Sequence, residues 1–358
     1  MRVLHCINSA KIGGIERLVI ELAIAQKKQG IDVTLMIDRS DGEFNDYLLS
    51  SGVSVKYSGI KSGFDIRLRK LKELKKLFRQ YDIIHLHNFV LLLSWAGLSA
   101  KTVYTIHGLS KGIRRENLIK YYIRETLKKY FLNKVDYFIA NSAYTLRMAQ
   151  EHYGLKTLPS KVILNGIRLP EVANMDVSIN NEIFTIGLVS RFVARKRIDR
   201  LINAFAGFLC RGGKGKLILV GDGPEGAHIK DLINEKKLNN NVEMPGFIKN
   251  VHEYYNKFDI CVHPSDNEGF GLIGVEAYIN GKPVIAFRDS GGLKEVIEPL
   301  EPENILDNEE ALAQRIMFYY IHREEISSKS AARIVYARTN FSIERMERDY
   351  YEIYECLL

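Results

Sequence analysis

"DICVHPSDNEGFGLIGVEAYINGKPVIAF", Asp259 to Phe287, sets two short apolar runs, Asp259–His263 and Pro283–Phe287, on either side of a loop and a longer apolar stretch. Apolar runs this short, bounded by turn residues, read as buried strands. Two strands joined through a helix lie parallel, because only a crossover connection brings the chain back to start in the same direction. The segment therefore predicts strand, loop, helix, turn and strand. It places Glu268 in the loop at the start of the helix and Glu276 two turns along it.

The same unit recurs along the chain. In the first half, strands are expected at Val3–Asn8, Asp32–Ile37, Asp82–His87, Thr102–His107, Asp136–Ala140 and Lys161–Asn165, most of them separated by helical patterns. Arg168–Glu182 has neither period and reads as a linker. A second series follows at Ile183–Val189, Lys216–Val220, Asn241–Met244, Asp259–His263 and Pro283–Phe287. The expectation is an α/β chain of two Rossmann-like doubly wound domains, 1–167 and 168–340, facing across a cleft. Ligands of such sheets bind beyond the carboxyl ends of the strands. A last helix, 341–358, places Ile343, Met346, Tyr350 and Ile353 near one face and is expected to pack near the domain junction.

With 358 residues, 46% of them hydrophobic, the chain can bury two cores. Its four cysteines, Cys6, Cys210, Cys261 and Cys356, have neither zinc spacing nor the density of a secreted disulfide scaffold, so a reducing cytosol fits. The N-terminus reads as a strand running into a glycine turn, without a signal-peptide pattern, and no apolar run is long enough to span a membrane. Met1–Pro170 holds 28 Lys and Arg against 14 Asp and Glu, while Glu171–Leu358 holds 23 against 29. The net charge of +8 thus belongs to the first half, as on a surface that meets phosphates, anionic lipid or nucleic acid, or on plain solvated helix faces. No aromatic platform accompanies the charge, which argues against nucleic acid.

Several residues have the chemistry of an anion or sugar site. Gly13 and Gly14 precede a helix starting near Ile15, where backbone amides and the dipole favour a phosphate; packing alone explains such a turn equally well. The glycines of "VGDGPE", Val220 to Glu225, read as structural. Arg191 and Lys196, between a strand and a helix, can hold a diphosphate through a bidentate guanidinium and a point charge, though Arg195 and Arg197 beside them also suit a simple basic loop. Glu268 can accept hydrogen bonds from sugar hydroxyls and Glu276 can bind paired ribose hydroxyls; alternatively the first caps the helix and the second pairs with a lysine. His85 and His87 alternate on one strand and face the same side, so they are either a metal pair or, more in keeping with the absence of nearby acidic or cysteine ligands, buried hydrogen-bonded histidines.

Taken together, "GGIERLV", "DIIHLHN", "YTIHG", "VILNGI", "SRFVARK", "LVGDGPE", "EGFGLIGVE" and "GKPVIAF" occur in an order that resembles the retaining glycosyltransferases of family 4, which have the GT-B fold. The resemblance runs from Met1 to the C-terminus. It implies transfer of a sugar from a nucleoside diphosphate sugar, UDP before GDP, to a glycan or lipid-linked acceptor, with no cofactor and no metal. By position, Glu268 matches a glutamate beside the donor sugar, and Glu276 matches the one on the nucleotide ribose. Arg191 and Lys196 match the pair that neutralises the diphosphate, and His107 matches a histidine near the transferring carbon. Gly13 and Gly14 match a phosphate-approaching loop; Gly269, Phe270, Gly271 and Leu272 match a loop whose amides contact sugar and phosphate. Two positions depart: Ser190 and Arg197 stand where many relatives have glycine, and Arg197 puts a bulky cation beside the presumed phosphate site.

The resemblance also implies a setting. Lys61–Gln80 and Lys111–Lys134 mix cations with apolar and aromatic residues at helical spacing, as helices that rest on an anionic leaflet do. A cytoplasmic protein in peripheral contact with the inner face of the membrane is expected, serving bacterial surface polysaccharide synthesis. Rivals are a nucleotide-sugar 2-epimerase on the same fold and a catalytically silent binding protein.

Overall fold

The computed structural model describes residues 1–9, 13–39, 45–60, 65–109, 118–155, 157–169, 183–248 and 250–358. The linker expected at Arg168–Glu182 therefore falls mostly outside the described residues. The chain folds as two compact units, one made of Met1–Arg168 with Phe341–Leu358, the other of Leu169–Asn340.

In the first unit the elements follow as β1 (Arg2–Ser9), α1 (Gly14–Lys28), β2 (Asp32–Arg39), α2 (Asn45–Ser50), β3 (Ser54–Tyr57), α3 (Leu68–Phe78), β4 (Ile83–Leu86), α4 (Leu91–Gly97), β5 (Lys101–Ile106), α5 (Leu118–Leu132), β6 (Tyr137–Ala140), α6 (Ala143–Tyr153) and β7 (Ser160–Val162). The strands make one parallel sheet in the order β3-β2-β1-β4-β5-β6-β7. Alternation along each strand sorts its side chains into two cores. Val3 and Ile7 of β1, Ile83 of β4 and Val103 of β5 join one; Leu4, Cys6, Ile84 and Leu86 join the other.

The second unit runs β8 (Phe184–Val189), a 3-10 turn Ala194–Lys196, α7 (Ile198–Cys210), β9 (Gly215–Val220), α8 (Gly226–Glu235), β10 (Val242–Gly246), α9 (His252–Lys257), β11 (Ile260–His263), α10 (Leu272–Ile279), β12 (Val284–Phe287), α11 (Gly292–Ile297), a 3-10 turn Pro302–Asn304, β13 (Ile305–Leu306), α12 (Glu309–Ile321), α13 (Glu324–Ser328) and α14 (Ser330–Asn340). Its sheet is also parallel, ordered β10-β9-β8-β11-β12-β13. Both sheets thus have the doubly wound order that reverses beside the first strand. Each reversal, β1 to β4 and β8 to β11, separates two loops at the carboxyl ends and opens a crevice there. On α14, Arg333 is fully buried against Glu301 at 2.7 Å and donates to the carbonyls of Gly281 and Ile326.

The last helix, α15 (Ile343–Leu357), starts at Ser342, whose hydroxyl caps the Arg345 amide. Its Ile343, Met346, Tyr350, Ile353 and Tyr354 are buried in the core with α1 and β1, so it completes the first unit. That partner could not be read from the amphipathic pattern. Among the described residues, no helix is long and apolar enough to cross a membrane.

Candidate active site

Arg191, Arg195 and Lys196 leave the sheet after β8, and Glu268 leaves it after β11, so the reversal of strand order in the second unit brings Arg195 and Lys196 together with Glu268. The loops are held by their backbones. The Phe192 amide donates to Asp222 O and the Glu225 amide to Phe192 O, and the Asp266 amide donates to Arg195 O. Gly221 sits against the Ser190 carbonyl with φ 135°, leaving no room for a Cβ, which bears out the structural reading of the "VGDGPE" glycines. Glu268 is anchored by its amide to Ser290 O and by its carbonyl to the Gly292 amide.

The Glu268 carboxylate is buried and takes a cation on each oxygen. Lys196 Nζ is 2.5 Å from Oε1 and Arg195 Nη1 is 3.1 Å from Oε2. Burial opposes its charge, but Lys196, Arg195 and a hydrogen bond from Ser265 outweigh it, and the carboxyl titrates below the ordinary glutamate range. Glu268 is no helix cap: that position belongs to Gly271, in a left-handed conformation. Beneath the pair, burial first and then Lys196 push His263 down to about 3, and its Nε2 has no partner among the described residues. Arg191 is exposed, and its side chain forms no hydrogen bond or ion pair among the described residues.

The loop Gly269–Gly271 leads straight into α10, with Phe270 buried and Leu272 the first helical residue. Glu276 lies in the second turn, accepting from the Tyr255 hydroxyl at 3.3 Å. Arg197 adopts φ 47° and ψ 44°, the left-handed region that glycine enters freely, and this accounts for the glycine of the resembling family. Its guanidinium is held by Asp199 at 2.9–3.3 Å.

In the first unit, Gly13 is the N-cap of α1 in an extended conformation, φ −169°, so no tight turn explains that glycine. Gly14 opens the helix. The Glu16 carboxylate, three residues past the cap, lies where a Gly13 side chain would be. It thus occupies the amide-rich end expected to meet a phosphate, and burial raises its pKa.

One face of this sheet carries a layer of histidines. His5 and His85 are register partners on β1 and β4, His87 follows β4, and His107 follows β5. Period-two alternation turns them all toward α1 and α15. His5 Nδ1 is 2.9 Å from His87 Nε2, and His87 Nδ1 is 3.1 Å from His107 Nε2. His5 Nε2 is 2.7 Å from the amide oxygen of Gln26 on α1. His85 is bonded through Nδ1 to the Tyr354 hydroxyl and through Nε2 to Thr105. Burial lowers all four, His5 and His107 to about 4. The donor atoms of His5, His85 and His87 lie within 4.8 Å of one another, close enough for a metal ion, yet each such ion would displace hydrogen bonds already made.

The sequence reading missed His5, Gln26, Arg195, Ser265 and Glu16 as site members. A histidine within an otherwise apolar strand and the glutamate three residues past the Gly13 cap were the available signals.

A family model described as Glycosyltransferase Family 4 matches residues 12–170, and one described as Glycosyl transferases group 1 matches 175–338. An uncharacterized glycosyltransferase of Haemophilus influenzae is 27% identical over 305 residues, covering 82% of each protein. Alpha-monoglucosyldiacylglycerol synthase of Streptococcus pneumoniae is 27% identical over 308 residues, 77% of this chain and 68% of that protein. In fold, the structure of Anabaena HepE in complex with UDP is similar with a TM-score of 0.79 at 21% identity, over 99% of this chain and 100% of that one. Two models that match the two parallel-sheet units in turn, and a whole-chain likeness of fold, identify the chain as a member of the family 4 glycosyltransferases, built as a GT-B enzyme.

Proposed function

We propose that the protein is a retaining, metal-independent transferase that moves a hexose or N-acetylhexosamine from a nucleoside diphosphate sugar to a glycan or lipid-linked acceptor in bacterial surface polysaccharide or glycoconjugate synthesis. A UDP-sugar is the favoured donor, in keeping with the UDP held by the HepE structure. The observation that carries the reading is the buried Lys196–Glu268 pair at the β8/β11 reversal, with Arg195 on its other side and Arg191 exposed nearby in sequence. Such a cluster offers cations for a diphosphate and a fixed carboxylate for sugar hydroxyls at one place.

In this mechanism the bond from the anomeric carbon to the diphosphate oxygen breaks, and a bond to the acceptor oxygen forms on the same face. The acceptor proton goes to the departing phosphate oxygen. Negative charge grows on the diphosphate, and Arg191, Lys196 and the α10 amides stabilise it without a divalent ion. Gly13, Gly14 and Gly269–Leu272 let backbone amides approach the donor. Glu268 and His107 align the sugar, and Glu276, steadied by Tyr255, holds the ribose.

The acceptor side is the basic first unit. On α5, Leu118, Ile119, Tyr122, Ile123 and Tyr130 are exposed among lysines and an arginine, a composition that suits the interface of an anionic leaflet. Part of each basic stretch, Lys61–Phe64 and Lys111–Asn117, lies outside the described residues. Sedimentation with anionic vesicles at low salt tests the contact; protein left in the supernatant counts against it.

Thermal unfolding with UDP, GDP, ADP and CMP, on wild type and Glu276→Ala, tests the donor site. A nucleotide at 100 times its Kd adds about 2.7 kcal/mol. Stabilisation of wild type by one nucleotide, lost in the variant, supports the reading; no shift with any nucleotide defeats it. Analysis of products with and without acceptor then separates transfer from epimerisation.

A further inference from the structure

The histidine layer of the first unit has a direction. The Gln26 amide oxygen faces His5 Nε2, and an amide oxygen only accepts, so His5 carries its proton on Nε2. A neutral imidazole has one proton; His5 Nδ1 is then bare and accepts from His87 Nε2. By the same rule His87 Nδ1 is bare and accepts from His107 Nε2. All three rings are neutral at physiological pH because burial disfavours their charged forms. The chain ends on His107 Nδ1, a buried nitrogen without a partner among the described residues. Leaving a buried polar atom unpaired costs about 1–3 kcal/mol; Gln26 Nε2 at the other end is unpaired too among the described residues, but His107 Nδ1 lies just past the carboxyl end of β5, where ligands of such sheets bind.

We propose that Gln26, His5 and His87 are positioning residues, a one-way chain of hydrogen bonds that fixes the His107 proton on Nε2 and presents Nδ1 as an acceptor to a hydroxyl of the bound sugar. The surroundings hold the chain in place. His87 stacks between His5 and His107, with ring centroids 5.2 and 5.4 Å away. His85 packs 4.1 Å from His87, its own nitrogens bonded to Tyr354 and Thr105, so it cannot divert the relay. The backbone of His107 is tied by Asn141 Nδ2 to the His107 carbonyl at 3.0 Å. An amide turned the other way would reverse every bond and put the His107 proton on Nδ1, making it a donor. Only the sugar hydroxyl rests on the glycosyltransferase reading; the tautomer does not.

The test is two-bond nitrogen–proton NMR of the full chain labelled in its histidine rings, which distinguishes the two neutral tautomers. His5, His87 and His107 are expected as Nε2–H forms in wild type. In Gln26→Met the His107 tautomer should become mixed, and in Gln26→Glu, which only accepts when ionised, it should remain Nε2–H at a pH above the titration of that carboxyl. His107 found protonated on Nδ1 in wild type overturns the proposal, as does stoichiometric zinc in the purified protein, since an ion needs the nitrogens the relay uses. Under turnover of a UDP-sugar, Gln26→Met should lower kcat on the order of tenfold or more with KM little changed, and Gln26→Glu should recover it. Unchanged kcat in Gln26→Met overturns the positioning role. If wild type neither binds a nucleotide nor turns over a sugar donor, the glycosyltransferase reading fails while the tautomer result is unaffected.

Discussion

Lys196 Nζ and Glu268 Oε1 meet at 2.5 Å, both side chains about nine-tenths buried, although they lie 72 residues apart in sequence. Removing the lysine leaves a buried carboxylate with Arg195, itself half-exposed, as its cation and the Ser265 hydrogen bond, so Lys196→Met should destabilise the second unit by about 3 kcal/mol. Glu268→Gln in the same chain should restore most of that loss. Neither variant should regain activity, because the cation and carboxylate also serve the donor, at a cost of roughly a hundredfold in kcat. Urea unfolding and turnover on the single and double variants decide; recovery of both together would make the pair purely structural.

Gly271 is required by its backbone before any ligand arrives. With φ 87°, and a Cβ that would lie 2.7–2.8 Å from Leu293, Gly271→Ala should lower stability by about 1–3 kcal/mol in the absence of donor. Adding Leu293→Ala should not relieve the φ strain. If ligand-free Gly271→Ala melts like wild type, the packing explanation is wrong.

Arg197 stands in a left-handed conformation that glycine would take without strain. Arg197→Gly should therefore raise the stability, by up to about 1 kcal/mol, the loss of the Asp199 pair offsetting part of the gain. Arg197→Val, branched at Cβ, should lose about 1–2 kcal/mol at the same site. Denaturant midpoints of the two variants should fall on opposite sides; the reverse order would refute the conformational account.

Acid should weaken the fold well before carboxylates titrate. His5 and His107, held at about 4 by burial, take up protons in the native state only near that pH, whereas an unfolded histidine does so near 6.5. Between these values the unfolded chain binds more protons, so stability falls as pH drops from about 6.5 to 4 and is level above. Each histidine contributes on the order of 3 kcal/mol at most. Glu268, whose pKa is lowered, contributes fully above the ordinary glutamate pKa and loses that contribution only below it, as pH falls toward its folded pKa, so it does not cause the loss that begins near 6.5. Unfolding midpoints at pH 7.5, 6.5, 5.5 and 4.5 check the slope, and a flat profile would contradict it.

Most of the sheet was legible because its central strands are apolar on both faces. Two strands were not: Ser54–Tyr57 is a half-exposed edge strand, and Ile305–Leu306 has two residues, too few to set a period. Glu268 and Lys196 were singled out from residue type and position past strand ends, and the structure pairs them; Arg191, singled out the same way, stands exposed. Arg195 was read as bland loop charge, because its partner is 73 residues away and sequence shows no such distance. His5 hid within an apolar strand; its meaning depends on the register that sets it beside His85. Likewise, α15 announces a buried face but not the helix that covers it.

The return of α15 to the first unit has a consequence for the order in which the protein is made. All strands of that unit have left the ribosome by Val162, yet the face bearing the histidines is covered only in part, by α1, until Tyr350 and Tyr354 emerge, after the whole of the second unit. The half begun first is finished last. During that interval the nascent chain carries an open apolar face, and a ribosome stalled before α15 leaves a first unit that a chaperone would recognise as incomplete.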